Sequence, residues 1–238
     1  MIVLRLLGTY ETPGPFPLDY RKGFMSLIKE SLKAFSAEEF ERIYGKRAGR
    51  NIVFNCYFGE DMQIDKENEN IILKSPSFLL EVSSPDTKLI AMIYNGLRKN
   101  REYTVFGSRI RLKEIKPVNT LIRTKDKIRV RSVCPILVKS SPDSGSRYLL
   151  PGEESFYGSL NHFCKVRYEE FFSEEFKGSV ELLPLELKRV VVKHMGTYHT
   201  GFKGIFELSS SSKMLQFLYD AGIGIRTSQG FGMLELVS

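Results

Sequence analysis

The stretch GIGIRTSQGFGMLEL, residues 222–236, joins a helix-forming segment to the last strand-forming segment of the chain. Four glycines fall within its first eleven positions, although the 238-residue chain has only 19: Gly222, Gly224, Gly230 and Gly232. Between them stands a run of hydrogen-bond donors: Arg226, Thr227, Ser228 and Gln229. Because glycine permits positive φ angles and close backbone approach, this spacing predicts a tight turn. The turn is either packed for structural reasons or holds a polyanion with its N–H groups and side chains.

Outward from this loop, the second half of the chain alternates strand and helix patterns in the order βαββαβ. Helical periodicity covers residues 153–171 and 210–221. Strands are predicted at KIRVRSVCPILV, LELKRVVVKHMG, TYHTGFKGIFELS and FGMLELVS. The segment GSRYLLPG is either a hairpin partner of the first strand or a loop.

The first half of the chain has the same order. A strand at MIVLRLLG precedes a helix over 19–35, with Asp19 as N-cap, and a short helix over 36–44, with Ser36 as N-cap. Strands follow at NIVFNCYF and IILKSPSFLLEVSS. A helix over 86–99 and one strand at EYTVFGSRIRLKEIKPV complete the unit.

The repeated order defines the predicted fold class. It is α+β, with two tandem ferredoxin-like domains of the RNA-recognition type, each βαββαβ. We expect the domains at 1–117 and 124–238, with the glycine-rich loop 222–232 in the second. Pro117 and the charged segment RTKDK mark the link between them.

Composition narrows the classes of function. The chain has 35 Lys and Arg against 28 Asp and Glu, and a formal net charge of +7 favours an acidic partner such as nucleic acid. Three separated cysteines exclude a disulfide framework or a zinc ribbon. No HExxH or other metal-ligand spacing, signal peptide or membrane-length apolar run appears. We therefore expect a soluble cytoplasmic protein with no metal, no cofactor and no membrane partner.

Basic residues concentrate in residues 98–131, which hold twelve Lys and Arg against three acidic residues. In RIRLK and KIRVR they alternate with apolar residues, so each strand carries its charges on one face. The candidates for RNA contact in these two stripes are Arg109, Arg111, Arg129 and Arg131. The stripes either form a groove that follows an RNA backbone along the domain junction or are the solvated faces of half-buried strands.

The segment Gly222–Gly232 resembles the C-terminal glycine signature of the Cas-six family of CRISPR RNA-processing endoribonucleases, in the RAMP superfamily. LIAMIYNGLRKN, RIRLKEIKPV and GTYHTGFKGIFEL also resemble that family, so the likeness covers most of the chain. The resemblance implies binding of CRISPR repeat RNA by the loop and one metal-independent cut in precursor CRISPR RNA. An upstream 2′-hydroxyl would attack the phosphate, leaving a 2′,3′-cyclic phosphate and a 5′-hydroxyl.

Many members of that family place a catalytic histidine in the loop after the first helical segment, and this chain departs from the pattern. The family's histidine position falls on Tyr44-Gly45-Lys46 in this sequence. The first-helix position where relatives carry a catalytic Tyr or Lys falls near Lys29, and a nearby basic position falls on Arg50 or Asn51. The resemblance therefore implies this catalytic set: Lys29, Tyr44, Lys46, Arg47 and Arg50.

Two interpretations of this departure stay open. In the first, the cations neutralise the phosphorane, a lysine protonates the leaving oxygen and Tyr44 positions the attacking hydroxyl. Loss of a general base typically costs a factor of about 10²–10⁴, which predicts slow cleavage. In the second, the chain is a non-cleaving RNA-binding subunit of a CRISPR effector complex. A homodimer is left open in both.

The histidines are all in the second half: His162, His194 and His199. His162 lies beside Phe163 in a predicted helix, and the other two flank a strand turn. We expect all three to be structural, with His194 and His199 as half-exposed strand residues.

Overall fold

The computed structural model describes residues 4–45, 51–119, 121–122, 126–140 and 147–237. The chain separates into two compact units. Unit 1 comprises Met1–Arg47, Phe54–Asn119 and Lys193–Thr197, and unit 2 comprises Ala48–Val53, Thr120–Val192 and Tyr198–Ser238. The predicted limits at 117 and 124 stay a prediction, and the structure adds that Lys193–Thr197 groups with the first half of the chain.

The first half is built on a five-stranded antiparallel sheet with helices on one side. Its elements are β1 (Leu4–Glu11), β2 (Phe16–Pro17), α1 (Arg21–Phe35), α2 (Ala37–Tyr44), β3 (Val53–Tyr57), β4 (Gln63–Asp65), β5 (Asn70–Ile72), β6 (Ser77–Ser83), α3 (Thr87–Lys99), β7 (Glu102–Val105) and β8 (Ser108–Asn119). The strand order is β3-β6-β1-β8-β7, and β2-β5-β4 form a separate small sheet. Strand β1 pairs antiparallel with both β6 and β8.

The second half contains a four-stranded sheet of the same plan. Its elements are β9 (Lys127–Ser132), β10 (Val138–Lys139), β11 (Tyr148–Leu149), α4 (Phe156–Phe172), β12 (Glu181–His194), β13 (Thr197–Ser209), α5 (Ser212–Ala221), a 3₁₀ turn (Thr227–Gln229) and β14 (Leu234–Leu236). The order is β12-β13-β9-β14, and β10 pairs with β11 as a short ribbon. In both sheets the first core strand lies between the third and the fourth, so the predicted tandem ferredoxin-like fold is confirmed.

Aromatic side chains fill the space between the sheet of unit 1 and its helices. Phe16, Phe24 and Phe78 are buried, and their ring centroids lie 5.2 to 5.5 Å apart. Burial of each such ring contributes about 1.5–3 kcal/mol. A close helix crossing fixes α1 on α3, because a Cβ on Gly96 would lie 1.8 Å from the Ser31 carbonyl oxygen. Only glycine therefore fits at that crossing.

The predicted helices are confirmed, and one of the predicted N-caps is correct. The Ser36 hydroxyl accepts from the Glu39 N–H at 3.2 Å, as its pattern predicts. The prediction that Asp19 caps α1 is wrong, because the N-cap is Tyr20 and makes no side-chain cap bond. Asp19 instead accepts from the Gly196 N–H at 3.4 Å. The Asp19 carboxylate therefore binds an N–H group distant in sequence and not the N-terminus of α1.

The prediction of one continuous strand at EYTVFGSRIRLKEIKPV is also wrong. The segment is a hairpin of β7 and β8, in which Val105 pairs with Ser108. Phe106 and Gly107 form the turn with φ angles of 52° and 77°. Two successive positive φ angles give the turn that matches strand twist in tight hairpins. None of the helices in the described ranges is long and apolar enough to cross a membrane.

Candidate active site and nucleic-acid interface

Helices α1 and α2 bring together Lys29 and Tyr44, the two members of the predicted catalytic set that the structure describes. Lys29 Nζ lies 5.5 Å from the centroid of the Tyr44 ring. Tyr44 stacks on Phe40 with centroids 4.6 Å apart, and Lys33 Nζ lies 4.6 Å from the Phe40 centroid. Lys29 and Lys33 are four residues apart on α1, and Phe40 and Tyr44 are four apart on α2. Successive turns of α1 therefore present two ammonium groups to two stacked rings.

Tyr44 is also the last residue of α2, so the helix delivers this half-buried ring to the start of the next loop. The Gly45 N–H donates to the Glu41 carbonyl oxygen at 2.7 Å and closes the helix. The remaining predicted members, Lys46, Arg47 and Arg50, lie outside the described residues. The described part of the candidate site is therefore one ammonium and one phenol held by two helices.

The histidines belong to neither helix. His194 is fully buried, with Nδ1 3.4 Å from Oδ1 of Asp19. His199 is buried and makes a 2.6 Å ring-nitrogen hydrogen bond with the Tyr148 hydroxyl. His162 is exposed on α4 and packs its ring against Phe163. The expectation that the two strand histidines are half-exposed is wrong. Both are buried because each has a polar partner distant in sequence, Asp19 for His194 and Tyr148 for His199.

The glycine-rich loop has the left-handed backbone that its composition predicts. The φ angles of Gly222, Gly224, Gly230 and Gly232 lie between 76° and 84°. A Cβ at Gly232 would lie 1.9 Å from the Ile223 carbonyl oxygen, and one at Gly224 would lie 2.4 Å from the Leu137 carbonyl oxygen. These two positions therefore require glycine both for backbone angle and for space.

Several backbone N–H groups of the loop donate hydrogen bonds to carbonyls within the protein. The N–H groups of Ile223 and Gly232 donate to the carbonyls of Gly232 and Pro135 at 2.9 and 2.8 Å. The Gly230 N–H donates to the Thr227 carbonyl at 3.0 Å. This favours the structural interpretation of the glycines. Phosphate binding by the N–H groups of the loop stays a prediction, and those of Gly230 and Gly232 already donate to carbonyls within the protein.

Arg167 on α4 holds the start of the loop and was not anticipated from the sequence. Its Nη1 donates to the carbonyls of Gly222 and Gly224 at 2.9 and 3.2 Å, and its Nη2 donates to the Ala221 carbonyl at 2.8 Å. Desolvation lowers the pKa of this guanidinium to about 10. One signal in the sequence could have indicated this role: Arg167 stands between Cys164 and Tyr168, two buried positions of α4.

The polar side chains of the loop divide into buried and accessible groups. Thr227 is buried, whereas Arg226, Ser228 and Gln229 are partly exposed. Arg226 is in the left-handed region at φ 58°, and its Nη1 donates to Gln229 Oε1 at 2.9 Å. RNA contact by this loop stays a prediction, and the accessible side chains are the groups that would make it.

The two basic stripes have the alternating burial that their sequence predicts. Arg111 and Arg109 on β8 share Glu102, at 2.7 and 3.8 Å. Arg129 and Arg131 on β9 are exposed, and no ion pair joins them to an acidic side chain in the described part of the chain. Strand β8 belongs to the sheet of unit 1 and β9 to that of unit 2. A shared groove stays a prediction.

Among the described residues, no three His, Cys, Asp or Glu side chains come together in a way that could hold a metal ion.

The class of protein is defined by two ferredoxin-like units, the second of which carries a glycine loop with positive φ angles just before its last strand. A solved structure from Pyrococcus furiosus, described as a Cas6-related gene, matches 99% of this chain and 99% of its own, with a TM-score of 0.87 at 20% identity. Another, "An RAMP protein binding different RNA substrates", matches 99% of this chain and 100% of its own, with a TM-score of 0.84 at 20% identity. These likenesses show that the chain shares the fold of both proteins.

Sequence comparison gives the family. The model for the C-terminal part of CRISPR associated protein Cas6 matches residues 113–236, more than half of the chain. This protein therefore belongs to the Cas6 family, the Cas-six family that its glycine loop resembles. A CRISPR-associated endoribonuclease-like protein Cas6 of Pyrococcus furiosus is 26% identical over 71% of this chain and 72% of its own. The CRISPR-associated endoribonuclease Cas6 1 of Methanocaldococcus jannaschii is 25% identical over 80% and 77%.

Proposed function

We propose that this protein is a cytoplasmic endoribonuclease that binds CRISPR repeat RNA and cleaves precursor CRISPR RNA. Family membership and the names of the curated relatives support RNA processing. The structural observation that carries the proposal is the approach of Lys29 Nζ to the Tyr44 ring, at 5.5 Å. In the sequence, three further cations follow Tyr44 within six residues: Lys46, Arg47 and Arg50. The two helices thus hold the Lys29 ammonium close to the Tyr44 phenol ring.

The proposed reaction is an internal transesterification. The 2′-oxygen upstream of the cut attacks phosphorus and loses its proton to solvent, and the bond from phosphorus to the 5′-oxygen breaks. The 5′-oxygen takes a proton from the Lys29 ammonium, which is the ordinary form of a lysine at neutral pH. The products are a 2′,3′-cyclic phosphate and a 5′-hydroxyl, and no metal takes part.

Each side chain then has a distinct task. The Tyr44 hydroxyl would hydrogen-bond the attacking 2′-hydroxyl and set its approach. Lys46, Arg47 and Arg50 would neutralise the charge that develops on the phosphorane oxygens. With no histidine on α1 or α2, solvent has to accept the first proton, and slow turnover is the consequence.

The decisive experiment is incubation with a CRISPR repeat RNA in the presence of EDTA. We expect one discrete cut, with a cyclic phosphate on the upstream product. A 2′-deoxy substitution at the nucleotide before the cut should abolish the reaction. Cleavage that persists in the deoxy substrate would refute the proposed nucleophile, and loss of cleavage on chelation would refute the metal-free step.

A second candidate function is repeat-RNA binding without cleavage, within a CRISPR effector complex. It is favoured by the burial of His194 and His199 and by the absence of histidine from the α1–α2 pair. Intact RNA bound to the protein after long incubation would establish this candidate over the first. Sedimentation of the same samples, with and without RNA, reports whether either form works as a homodimer.

A further inference from the structure

A basic cavity lies in unit 1, between the end of α3 and the middle of β8. Its volume is about 350 Å³. Arg98, Arg101 and Lys113 line it, together with Tyr94, Glu114, Ile115 and the buried Leu112, whose carbonyl accepts from Arg101. No residue of α1 or α2 is among its lining residues, so it is not part of the candidate active site.

The two guanidinium groups of the cavity are fixed in place. Arg101 Nη2 donates to the carbonyls of Leu112 and Lys113 at 3.2 and 2.6 Å, and Nε also reaches the Leu112 carbonyl at 3.3 Å. Arg98 lies over the Tyr94 ring, 5.4 Å from its centroid, and its Nη1 donates to the Tyr94 hydroxyl at 3.3 Å. Side chains held in this way lose little conformational entropy when they bind an anion.

The charge of the cavity is not balanced from within. Lys113 pairs with Glu11 at 3.1 Å, and the acidic lining residue Glu114 pairs with Lys116 at 3.0 Å. Arg98 and Arg101 have no acidic partner among the residues that the structure describes. The two arginines therefore stand beside the partly exposed side chains of Tyr94 and Ile115, a combination suited to a phosphate group with a carbon skeleton attached.

We propose that this cavity binds one nucleotide of single-stranded repeat RNA, at a position other than the cut. The phosphodiester lies on Arg98 and Arg101, and the ribose lies against Tyr94 and Ile115. The cavity volume is at the lower end of the range of about 300–1,000 Å³ for ligand pockets, which suits a single nucleotide. The inference rests on the proposed RNA binding and adds a second point of attachment to it.

The test compares Arg98→Gln with its neighbour Lys99→Gln, which removes the same charge. Lys99 is exposed on α3, does not line the cavity and donates from Nζ to the Ala34 carbonyl. We expect Arg98→Gln to weaken repeat-RNA binding about tenfold more than Lys99→Gln does. It should also flatten the dependence of log K on log salt by about 0.7, the value for one phosphate contact on a single strand. Thermal melting confirms that both variants are folded.

A series of repeat RNAs, shortened one nucleotide at a time from each end, locates the contact. At one length the parent should lose affinity while Arg98→Gln does not, because the missing nucleotide is the one the cavity holds. Equal losses in Arg98→Gln and Lys99→Gln, with the parent still binding RNA, would overturn this inference alone. A parent that binds no repeat RNA at all would overturn the proposed function as well.

Discussion

Arg167 donates from Nη1 to the carbonyl oxygen of Gly222 at 2.9 Å, across 55 residues of sequence. The same guanidinium also holds the carbonyls of Ala221 and Gly224. Carbonyls at the end of a helix lack partners within the helix and carry partial negative charge. A single α4 side chain thus caps α5 and orients the first residues of the glycine loop.

We expect Arg167→Met to lower the free energy of unfolding by about 2–4 kcal/mol, because the carbonyls would stay buried without donors. Urea denaturation measures the change. Lys165→Met on the same helix is the control, because Lys165 is exposed and pairs only with Glu169 at 3.7 Å, so its effect should stay within about 0.5 kcal/mol. Equal effects of the two variants would contradict the assigned role of Arg167.

Glycine substitutions separate backbone strain from simple chain flexibility. We expect Gly232→Ala to cost about 2–4 kcal/mol, because its φ is 76° and its Cβ would lie 1.9 Å from the Ile223 carbonyl oxygen. Gly158→Ala is the matched control, on α4 with nothing within 4 Å of the added Cβ, and should stabilise the protein by about 0.5–1 kcal/mol. Opposite signs in thermal melting confirm the loop geometry, and two gains in stability would contradict it.

The candidate active site is tested by two lysines in like surroundings. Lys29 lies over Tyr44 and Lys33 over Phe40, on successive turns of α1. We expect Lys29→Ala to slow single-turnover cleavage about 10²-fold with little change in RNA affinity, because the lost group is the proposed acid. Lys33→Ala should change the rate only a few-fold, because Lys33 is not the proposed proton donor.

Tyr44→Phe completes that comparison. It keeps the stack on Phe40 and the ring under Lys29, and it removes only the hydroxyl. A loss of about tenfold in the single-turnover rate is expected if that hydroxyl sets the approach of the nucleophile. Parent rates in Lys29→Ala and Tyr44→Phe together would remove both residues from the site.

The basic strands should contribute unequally to RNA affinity. Arg109 and Arg111 already share Glu102, whereas Arg129 and Arg131 have no ion pair within the described ranges. We expect Arg129→Gln and Arg131→Gln to weaken repeat-RNA binding more than the matching changes on β8. Titrations at several salt concentrations measure each variant, and each lost phosphate contact should lower the slope by about 0.7. A larger loss of RNA affinity from the β8 variants than from the β9 variants would contradict this prediction.

Alkaline unfolding should report the burial of Cys164. Desolvation raises the pKa of this thiol to about 12 in the folded protein, from 9.0 when it is free. Above pH 9 the unfolded chain therefore releases a proton that the folded chain keeps, and stability falls as pH rises towards 12. We expect a loss of about 1 kcal/mol between pH 8 and pH 10 that Cys164→Ala lacks. Parallel stability curves for parent and variant would contradict this burial.

Features that depend on neighbouring residues were predictable from the sequence. Ser36 caps α2 because its hydroxyl reaches an N–H three residues on, and the alternation of RIRLK fixes which side chains face the core. The doubled βαββαβ order followed from the periods of successive segments. The loop glycines were identified as a turn for the same reason, since positive φ is a property of the residue itself.

Features that depend on distant partners were not predictable from one sequence. Asp19 reads as a local cap, and its contacts with Gly196 and His194 bring a segment more than 170 residues away into unit 1. Arg167 reads as one more helix-surface cation until the end of α5 is folded against it. The approach of Lys29 to Tyr44 could be inferred only from the family pattern, because the angle between α1 and α2 is set by packing.

The close approach of Gly96 to the Ser31 carbonyl fixes α1 against α3. Helix α2, by contrast, meets α1 at this site through rings and lysine side chains. These contacts lack the close backbone approach of the α1–α3 crossing, so a new side chain at Tyr44 should cost less stability than one at Gly96.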